Sequence, residues 1–454
     1  MNFLPLIEVI GKEKCFLSIE DRYIYRTDTT RFDGMPDIVI NVESKEEIIE
    51  AVRFAKANNL PIIPRGSGTG MSGGTVAIRG GIVLNFEKMD SIGKVNRISR
   101  SIIVGVGAIT ADIQKYVEKE GFYFPPDPSS YKISSIGGNL SENAGGLHCV
   151  KYGVVSRYIK GFRYIDADGN DMATGSLAKE YNPLGSLLIG SEGTLGIVYE
   201  IELDLIDIPI ASKLFLVYLK SFEQGVDLVV EMKKEGISPS VIEIIDESAF
   251  EAVTMFKPIE TPEGTNSILL IEVDGNYAAE IYERDKKLQN LLKKRGVNFK
   301  SSCEEEEKNR LNTIRRSISP AVRMLAPNKM NEDIVIPITK FKEMILFIRG
   351  ISKTLNMRIP IYGHAGDGNL HVNILYDKKR SKEVEKASGI AEKIFKKAIL
   401  LGGSITGEHG VGLAKKRFLP MQYGKKEISV MRSVKKSFDS SYLINPDKIF
   451  NREQ

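Results

Sequence analysis

Apolar and polar positions along this chain change period several times, and each change marks an element. DIVINV (37–42) is a short apolar run of β-formers, and Ser44 with Glu47 spells a capping box for a helix through about Asn58. PIIPRG (61–66) reads as the next strand and runs into a glycine loop. The stretch predicts a β-α-β unit, with a ligand site expected at the carboxyl end of its strands. GIVLNF (81–86) and SIIVGVGA (101–108) continue as strands, and Thr110 is placed to cap a helix reaching about Glu120. Ahead of these, residues 1–35 are mixed and read as helical, with a polar stretch DRYIYRTDTTRFDG.

From 121 to 161 the periodicity fades into a Gly-, Ser-, Asn- and Pro-rich segment that begins GFYFPPDPSSYKISSIGGNLSENAGGLHCVKYG. A loop that long is uncommon in a compact domain unless it is functional or disordered, and its small residues suit backbone wrapped around a ligand. YIKGFRYIDADGN reads as a hairpin turning at Asp168-Gly169, and GSLLIGSEGTLGIVYEIELDLI (185–206) as a glycine knot feeding a strand. From 213 to 300 strands and amphipathic helices alternate, which predicts an α+β cap on an antiparallel sheet. Residues 304–318 read as helix, NEDIVIP (331–337) as extended, FKEMILFIRGISKTLN as helix, and MRIPIYGHAGDGNLHVNILY (357–376) as strand, turn, strand. A basic helix over 381–400 and a helical tail ending INPDKIFN complete the chain. The domains are therefore expected at 1–206, 207–380 and 381–454.

Length and composition narrow the function. At ~100–200 residues per domain, 454 residues suggest two to four domains. The 42% hydrophobic and 27% charged residues argue against disorder, and a net charge of +4 gives no pointer to nucleic acid or an anionic membrane. The three cysteines, at 15, 149 and 303, offer no CxxC pair, iron–sulfur run or disulfide framework. The opening MNFLPLIEVIGKEKC lacks a basic n-region, and the longest apolar runs fall short of the ~20 residues that span a bilayer. A soluble cytoplasmic protein is expected.

Three constellations carry chemistry. PRGSGTGMSGG (64–74) places five glycines in eleven residues after a strand, letting backbone N–H groups turn onto a pyrophosphate. It has neither GK[ST] nor GxGxxG opening a helix, so a Walker site and a Rossmann NAD site are disfavoured. SSIGGNLSENAGG (134–146) and GSEGTLGIV (190–198) add two more glycine loops, a set suited to clamping a large planar cofactor with a diphosphate. Three of the four histidines fall in GHAGDGNLH (His364, His371) and GEHG (Glu408, His409). Two imidazoles and a carboxylate with an open position are a common catalytic metal arrangement; the bland alternative is hydrogen-bonded loop histidines. A metal-dependent hydrolase would use this cluster alone and leave the glycine loops unexplained. EEEEK (304–308), KKRF and KKSF read as solvated surface, and His148-Cys149 as a pair with no second partner in sequence.

In this order, PRGSGTGMSGG, PPDPSS, SSIGGNLSENAGG, KYG, LIGSEGTLGIV, GHAGDGNLH, GEHGVG and INPDKIF make the chain similar to one family over roughly 37–450. It resembles the FAD-linked D-2-hydroxyacid dehydrogenases of the vanillyl-alcohol oxidase superfamily, which include D-lactate dehydrogenases, glycolate oxidase flavoprotein subunits and D-2-hydroxyglutarate dehydrogenases. The resemblance implies an α+β fold: a two-subdomain FAD-binding domain, an α+β cap on an antiparallel sheet, and a C-terminal helical segment returning to the FAD site. Pro64, Arg65, Gly66, Ser67, Gly68, Thr69, Gly70 and Ser72 would hold the diphosphate side. Pro126, Asp127, Ser134, Ser135, Gly138, Asn139, Asn143, Gly145, Glu192, Gly193 and Ile197 would line the rest, with Asn445 returning from the tail. Relatives with covalent flavin often carry a histidine where Thr69 stands, so FAD is expected to be noncovalent.

The same resemblance implies a divalent metal, usually zinc, with iron or manganese as alternatives, on His364, His371 and Glu408. It makes His409 the base, and Arg315 the partner of the substrate carboxylate, helped by Lys329 and Asn373, with Ser319 a weaker carry-over where relatives can have Thr. Arg315 and Arg316 are adjacent, and the sequence leaves open which faces inward. The chemistry is coherent: a Lewis acid lowers the hydroxyl pKa and orients the acid, an imidazole with an unperturbed pKa of ~6.5 suits proton removal at neutral pH, and flavin takes the hydride. The expected activity is oxidation of a D-2-hydroxy acid, D-lactate first, with glycolate or D-2-hydroxyglutarate as alternatives. Without an iron–sulfur or haem motif, the electrons would pass to a separate acceptor such as an electron-transfer flavoprotein or an iron–sulfur subunit. A noncatalytic or electron-relay subunit of the same fold is the alternative role.

Overall fold

The capping box at Ser44 forms as spelled: the Glu47 N–H donates to Ser44 Oγ at 3.4 Å, and the Glu47 carboxylate accepts the Ser44 N–H. The helix runs Lys45–Asn58 and stops at Asn59, whose φ of 51° turns the chain left-handed. Ile48, Ala51, Val52 and Ala55 recur at helical spacing and are its buried stripe. The structure, a computed structural model, describes residues 1–30 and 32–451. Arg31 of the polar N-terminal stretch and residues 452–454 of the C-terminal segment lie outside the described residues.

The chain forms two compact units. The first comprises Met1–Gly145, Val154–Asp207 and Glu408–Gln454, the second Gly146–Gly153 and Ile208–Gly407.

In the first unit, strands β1 (Cys15–Phe16), β2 (Ile38–Asn41), β3 (Ile62–Arg65) and β4 (Ile82–Asn85) form one sheet in the order β1-β2-β4-β3. β2 and β3 are both parallel to β4, which lies between them, so the two strands of the predicted β-α-β unit are not neighbours. β4 is buried along its whole length, as a central parallel strand must be. A second sheet is antiparallel in the order β5-β9-β7-β8, from β5 (Ser101–Gly105), β7 (Ile159–Ile165), β8 (Asp171–Gly175) and β9 (Ile197–Asp204). Along β9, Ile197, Tyr199, Ile201 and Leu203 point inward alternately. β6 (Phe122–Tyr123) pairs with β10 (Ile206–Asp207). The β7–β8 hairpin turns at Gly169 with φ 82°.

Three local expectations are corrected. Among the described residues of 1–35, α-helix is confined to Leu4–Ile10 and Ile19–Tyr23, with a 3-10 turn at Lys12–Lys14 and β1 between them. The helix Thr110–Lys119 takes Ile109 as its N-cap without a side-chain cap. Thr110 is fully buried and instead donates its hydroxyl to the Ser134 carbonyl at 3.1 Å while accepting Asn139 Nδ2 at 2.6 Å. The aperiodic stretch contains a helix, Ile136–Glu142, hidden by Gly137 and Gly138, residues that each cost ~1 kcal/mol in a helix. A Cβ on Gly137 would sit 2.7 Å from Val106 Cβ, so close packing, not helix propensity, selects glycine there.

The second unit is built on a seven-stranded antiparallel sheet, β14-β11-β13-β12-β16-β17-β15. Its strands are β11 (Ala211–Leu219), β12 (Val241–Ile245), β13 (Ser267–Gly275), β14 (Phe299–Ser302), β15 (Asn328–Val335), β16 (Ile361–His364) and β17 (Asn369–Tyr376). The helix Glu305–Met324 packs on it through Leu311, Ile314, Ile318, Ala321 and Val322, against Leu214, Leu216, Ile245, Ile268 and Leu270. That buried face continues past Pro320, which carries the helix beyond the expected end at 318. The helix Ser381–Leu400 buries Ala387, Ile390, Ala391, Ile394, Phe395 and Ala398 at the same period. Among the described residues no helix is long and apolar enough to cross a membrane.

Candidate active site

In the first unit the glycine loops surround one cleft of about 1240 Å³, counting its open mouth. Pro64–Gly70 form one wall, Ser135, Gly138, Asn139 and Gly145 another, and Glu192, Gly193, Glu408, His409 and Asn445 complete it. Close backbone approach requires the glycines: a Cβ on Gly66 would lie 2.1 Å from Ser135 Oγ, and Gly68 has φ 67°. Arg65 is buried, its guanidinium donating to Thr75 Oγ1 at 3.2 Å and to the Tyr25 carbonyl at 3.4 Å.

The C-terminal tail returns here. Ile62 donates its N–H to the Leu443 carbonyl at 2.8 Å, and Asn445 donates its own to Ile62 at 2.7 Å. Asn445 Nδ2 then bridges the carbonyls of Gly74 at 2.9 Å and Glu192 at 3.0 Å, while its Oδ1 is buried with no hydrogen-bond partner. Lys435, buried, fastens the tail through the carbonyls of Thr194 (2.6 Å) and Ile444 (2.8 Å) and the Asp439 carboxylate (2.5 Å). The expected residues Ser72, Pro126, Asp127, Ser134, Asn143 and Ile197 are outside the lining of the cleft. Several of them support it: the Ser72 carbonyl accepts the Leu413 N–H at 2.7 Å, Gln114 holds the Pro126 carbonyl at 2.9 Å, and Asn143 caps the helix 136–142 with φ 50°.

Glu142 also lines the cleft, a residue that the sequence motifs did not single out. Burial, with Glu192 nearby, pushes its carboxyl well above the usual range. Glu192 is raised by burial too, against the N–H groups of Val411 and Gly412 that favour its ionised form. Its φ of 55° is a left-handed value unusual for a residue with a side chain, and Val411 N–H reaches its carboxylate at 2.7 Å. The signal for Glu142 was present in SENAGG, but one carboxylate on an unrecognised helix has no partner visible in sequence.

In the second unit the sheet register assembles the other residues. Glu243 on β12 lies directly across from His364 on β16, and Tyr362 on β16 directly across from His371 on β17. His371 in turn opposes Asp333 on β15, and Asn373 opposes Asn331. Side chains two apart share a face, so all seven stand on one side of the sheet. The His364 and His371 rings are edge-to-face with centroids 5.4 Å apart, and both residues are buried. The helix Glu305–Met324 lies over this face and brings Arg315, whose Nε donates to Glu243 at 3.2 Å; Arg316 is exposed. Glu243 also holds His364 Nδ1.

Lys329 donates to Ser319 Oγ at 2.9 Å, and burial with the nearby Arg323 charge lowers its amine to about 8. Burial raises the Tyr362 hydroxyl, and the nearby Ser319 and Asn373 and the Arg315 charge oppose that shift. Register and these bonds place Arg315, Ser319, Lys329, Tyr362 and Asn373 together with Glu243 on this face, and Tyr362 and Glu243 are the two that the sequence did not single out. Thr406 and Gly407 are tied to Asp333 by a side-chain bond of 3.0 Å and an N–H bond of 2.8 Å; Glu408 and His409 come next in the chain.

These features meet the comparisons with known proteins. The FAD binding domain family matches residues 36–174, and the family of FAD linked oxidases, C-terminal domain, matches 208–449. The chain is 37% identical over 454 residues to the glycolate oxidase subunit GlcD of Bacillus subtilis (strain 168), covering 99% of this chain and 96% of that one. It is 27% identical over 426 residues to the D-lactate dehydrogenase of Anaerostipes hadrus, covering 91% and 89%. Among solved structures, p-cresol methylhydroxylase with substrate bound matches with a TM-score of 0.80 at 14% identity, over 98% of this chain and 96% of the other, a likeness of fold. The chain belongs to the FAD-linked oxidases, with the α+β architecture of the vanillyl-alcohol oxidase group. Within them it is an oxidoreductase of the glycolate oxidase and D-lactate dehydrogenase type.

Proposed function

We propose that this protein oxidises a small D-2-hydroxy acid, D-lactate in the first place, to the 2-oxo acid. The observation that carries the reading is the group Arg315, Ser319, Lys329, Tyr362 and Asn373 beside the His364–His371 pair, in a chain whose other unit holds a flavin-type cleft. Two cationic and three neutral polar donors suit a carboxylate and a hydroxyl on adjacent carbons.

The residues of the cleft fit FAD. Gly66, packed too closely on Ser135 to carry a side chain, lines the cleft with Ser67 and Gly68, a glycine loop suited to a diphosphate, and the partnerless Asn445 Oδ1 offers a buried acceptor. No histidine stands at Thr69, in keeping with noncovalent binding. When bound, FAD supplies a hydride acceptor. The donor set of His364, His371 and Glu408, two neutral imidazoles and a carboxylate, fits a divalent ion, zinc in the first place. When bound, it supplies a Lewis acid for the substrate hydroxyl and carboxylate.

In this reading Arg315 binds the carboxylate, its free guanidinium nitrogens left available because only Nε is committed to Glu243. Lys329 and Asn373 orient the acid, and His409, in the wall of the first unit's cleft, takes the hydroxyl proton. A separate electron acceptor, an electron-transfer flavoprotein or an iron–sulfur subunit, then reoxidises the protein. The B. subtilis relative is a subunit by name, which supports a multiprotein setting and keeps glycolate as the alternative substrate. Dye-linked turnover against D-lactate, L-lactate, glycolate and D-2-hydroxyglutarate, before and after chelator treatment, tests the reading. D-lactate turnover that chelation abolishes is expected; activity with none of the acids would overturn it.

A further inference from the structure

Glu243 is one of the most deeply buried carboxylates of the second unit, with 2% of its surface exposed. A carboxylate there is costly unless both oxygens are engaged. They are, and by different partners: one faces His364 Nδ1, the other accepts Arg315 Nε at 3.2 Å. The register fixes the first contact, since Glu243 and His364 are cross-strand partners. The helix carrying Arg315 fixes the second.

Each contact has a chemical consequence. An ionised carboxylate only accepts, so Nδ1 is the nitrogen of His364 that carries a proton, and in the neutral imidazole that a metal requires the lone pair then belongs to Nε2. Arg315 only donates, so Glu243 holds one edge of its guanidinium and leaves the other nitrogens for a second anion.

We propose that Glu243 is a positioning residue that serves two sites at once: it sets the tautomer that makes His364 a metal ligand through Nε2, and it aims Arg315 at the substrate carboxylate. This rests on the reading of His364 as a metal ligand given above. Outer-sphere carboxylates on ligating histidines typically contribute ~10–100-fold to metal affinity. The coupling means that one side chain aligns the ion and the acid it would polarise.

Glu243→Gln separates the two roles. Arg315 can only donate, so it keeps the amide oxygen, and the NH2 turns to His364. Facing a donor, His364 must adopt the Nε2–H tautomer and lose its ligand lone pair. The experiment uses the full chain loaded with FAD and stripped by chelator, titrated with Zn²⁺ against a chromophoric competitor. E243Q is expected to weaken Zn²⁺ binding ~10–100-fold, with FAD stoichiometry unchanged and the KM for D-lactate close to wild type once Zn²⁺ saturates. Arg315→Lys is expected to do the reverse, raising KM at least ~10-fold with Zn²⁺ affinity unchanged. Glu243→Asp, which keeps the charge but draws it back by one methylene, decides the matter if E243Q fails to fold, and an intermediate loss of Zn²⁺ affinity is expected. Zn²⁺ affinity at the wild-type level in E243Q, or in E243D if only that variant folds, would overturn the proposal. A wild-type protein that binds no Zn²⁺ would overturn the metal reading itself, and this proposal with it.

Discussion

Asp333 accepts the backbone N–H of Gly407 at 2.8 Å. The carboxylate is fully buried, also accepts Thr406 Oγ1 at 3.0 Å and Asn369 Nδ2, and sits on β15 directly across from His371. One side chain thus ties the turn that precedes Glu408 and His409 to the strand pair that carries a predicted ligand.

Asp333→Ala should therefore harm more than stability. Leaving buried donors without their acceptor costs ~1–3 kcal/mol, and the released turn should lower turnover by at least ~10-fold. Thermal unfolding and steady-state turnover of the same sample check this. A variant destabilised by that amount yet fully active would show that the turn does not need Asp333.

His409→Ala should retain FAD and lose ~10²–10⁴-fold in turnover, the usual contribution of a general base. The flavin content of the purified variant and its kcat are the two measurements. An unchanged kcat would remove His409 from the role of base.

Gly66→Ala tests the flavin cleft. The new Cβ would stand 2.1 Å from Ser135 Oγ, and Ser135 caps the helix 136–142 by accepting the Gly138 N–H at 3.4 Å. Overpacking of this kind costs ~1–3 kcal/mol, so FAD should bind ~10–100-fold more weakly, measured by flavin fluorescence on dilution. Wild-type affinity would mean that Ser135 can yield and that this approach does not define the site.

Asp246 carries a pH dependence. Burial raises its carboxyl to about 7, against the opposing N–H bonds of Ala249 and Ile361. Between the ordinary aspartate pKa of ~3.9 and about 7, the folded second unit holds a proton that the unfolded chain has released. More protons bound in the native state means that stability falls as pH rises through this window. Asp246→Asn keeps a capping oxygen for the Ala249 N–H and should flatten the slope in denaturant titrations from pH 4 to pH 7. An equal slope in both proteins would contradict the assignment.

Much of this is legible in the sequence. Glycines at 66, 68 and 70 announce close backbone approach, because few other functions require them so densely, and they do form a wall of the cleft. The histidine motifs were legible because three of only four histidines fall in two glycine-flanked turns. Glu243 was not, because VIEII shows one charge in an apolar strand, and its meaning depends on a pairing with a strand 121 residues away. Tyr362 was hidden in the same way by cross-strand register. The choice between Arg315 and Arg316 rests on helix phase: Ile314, Ile318, Ala321 and Val322 set the buried stripe, and Arg315 lies at its margin beside Glu243. The helix at 136–142 escaped because close packing overrode propensity at Gly137.

The most direct test of the account is anaerobic mixing of the purified, FAD-loaded protein with D-lactate and, separately, L-lactate, following the visible absorption of the flavin. Rapid bleaching by the D-enantiomer, with the L-enantiomer inert, is the predicted result. A flavin that stays oxidised with D-lactate and with the other D-2-hydroxy acids and glycolate would contradict it.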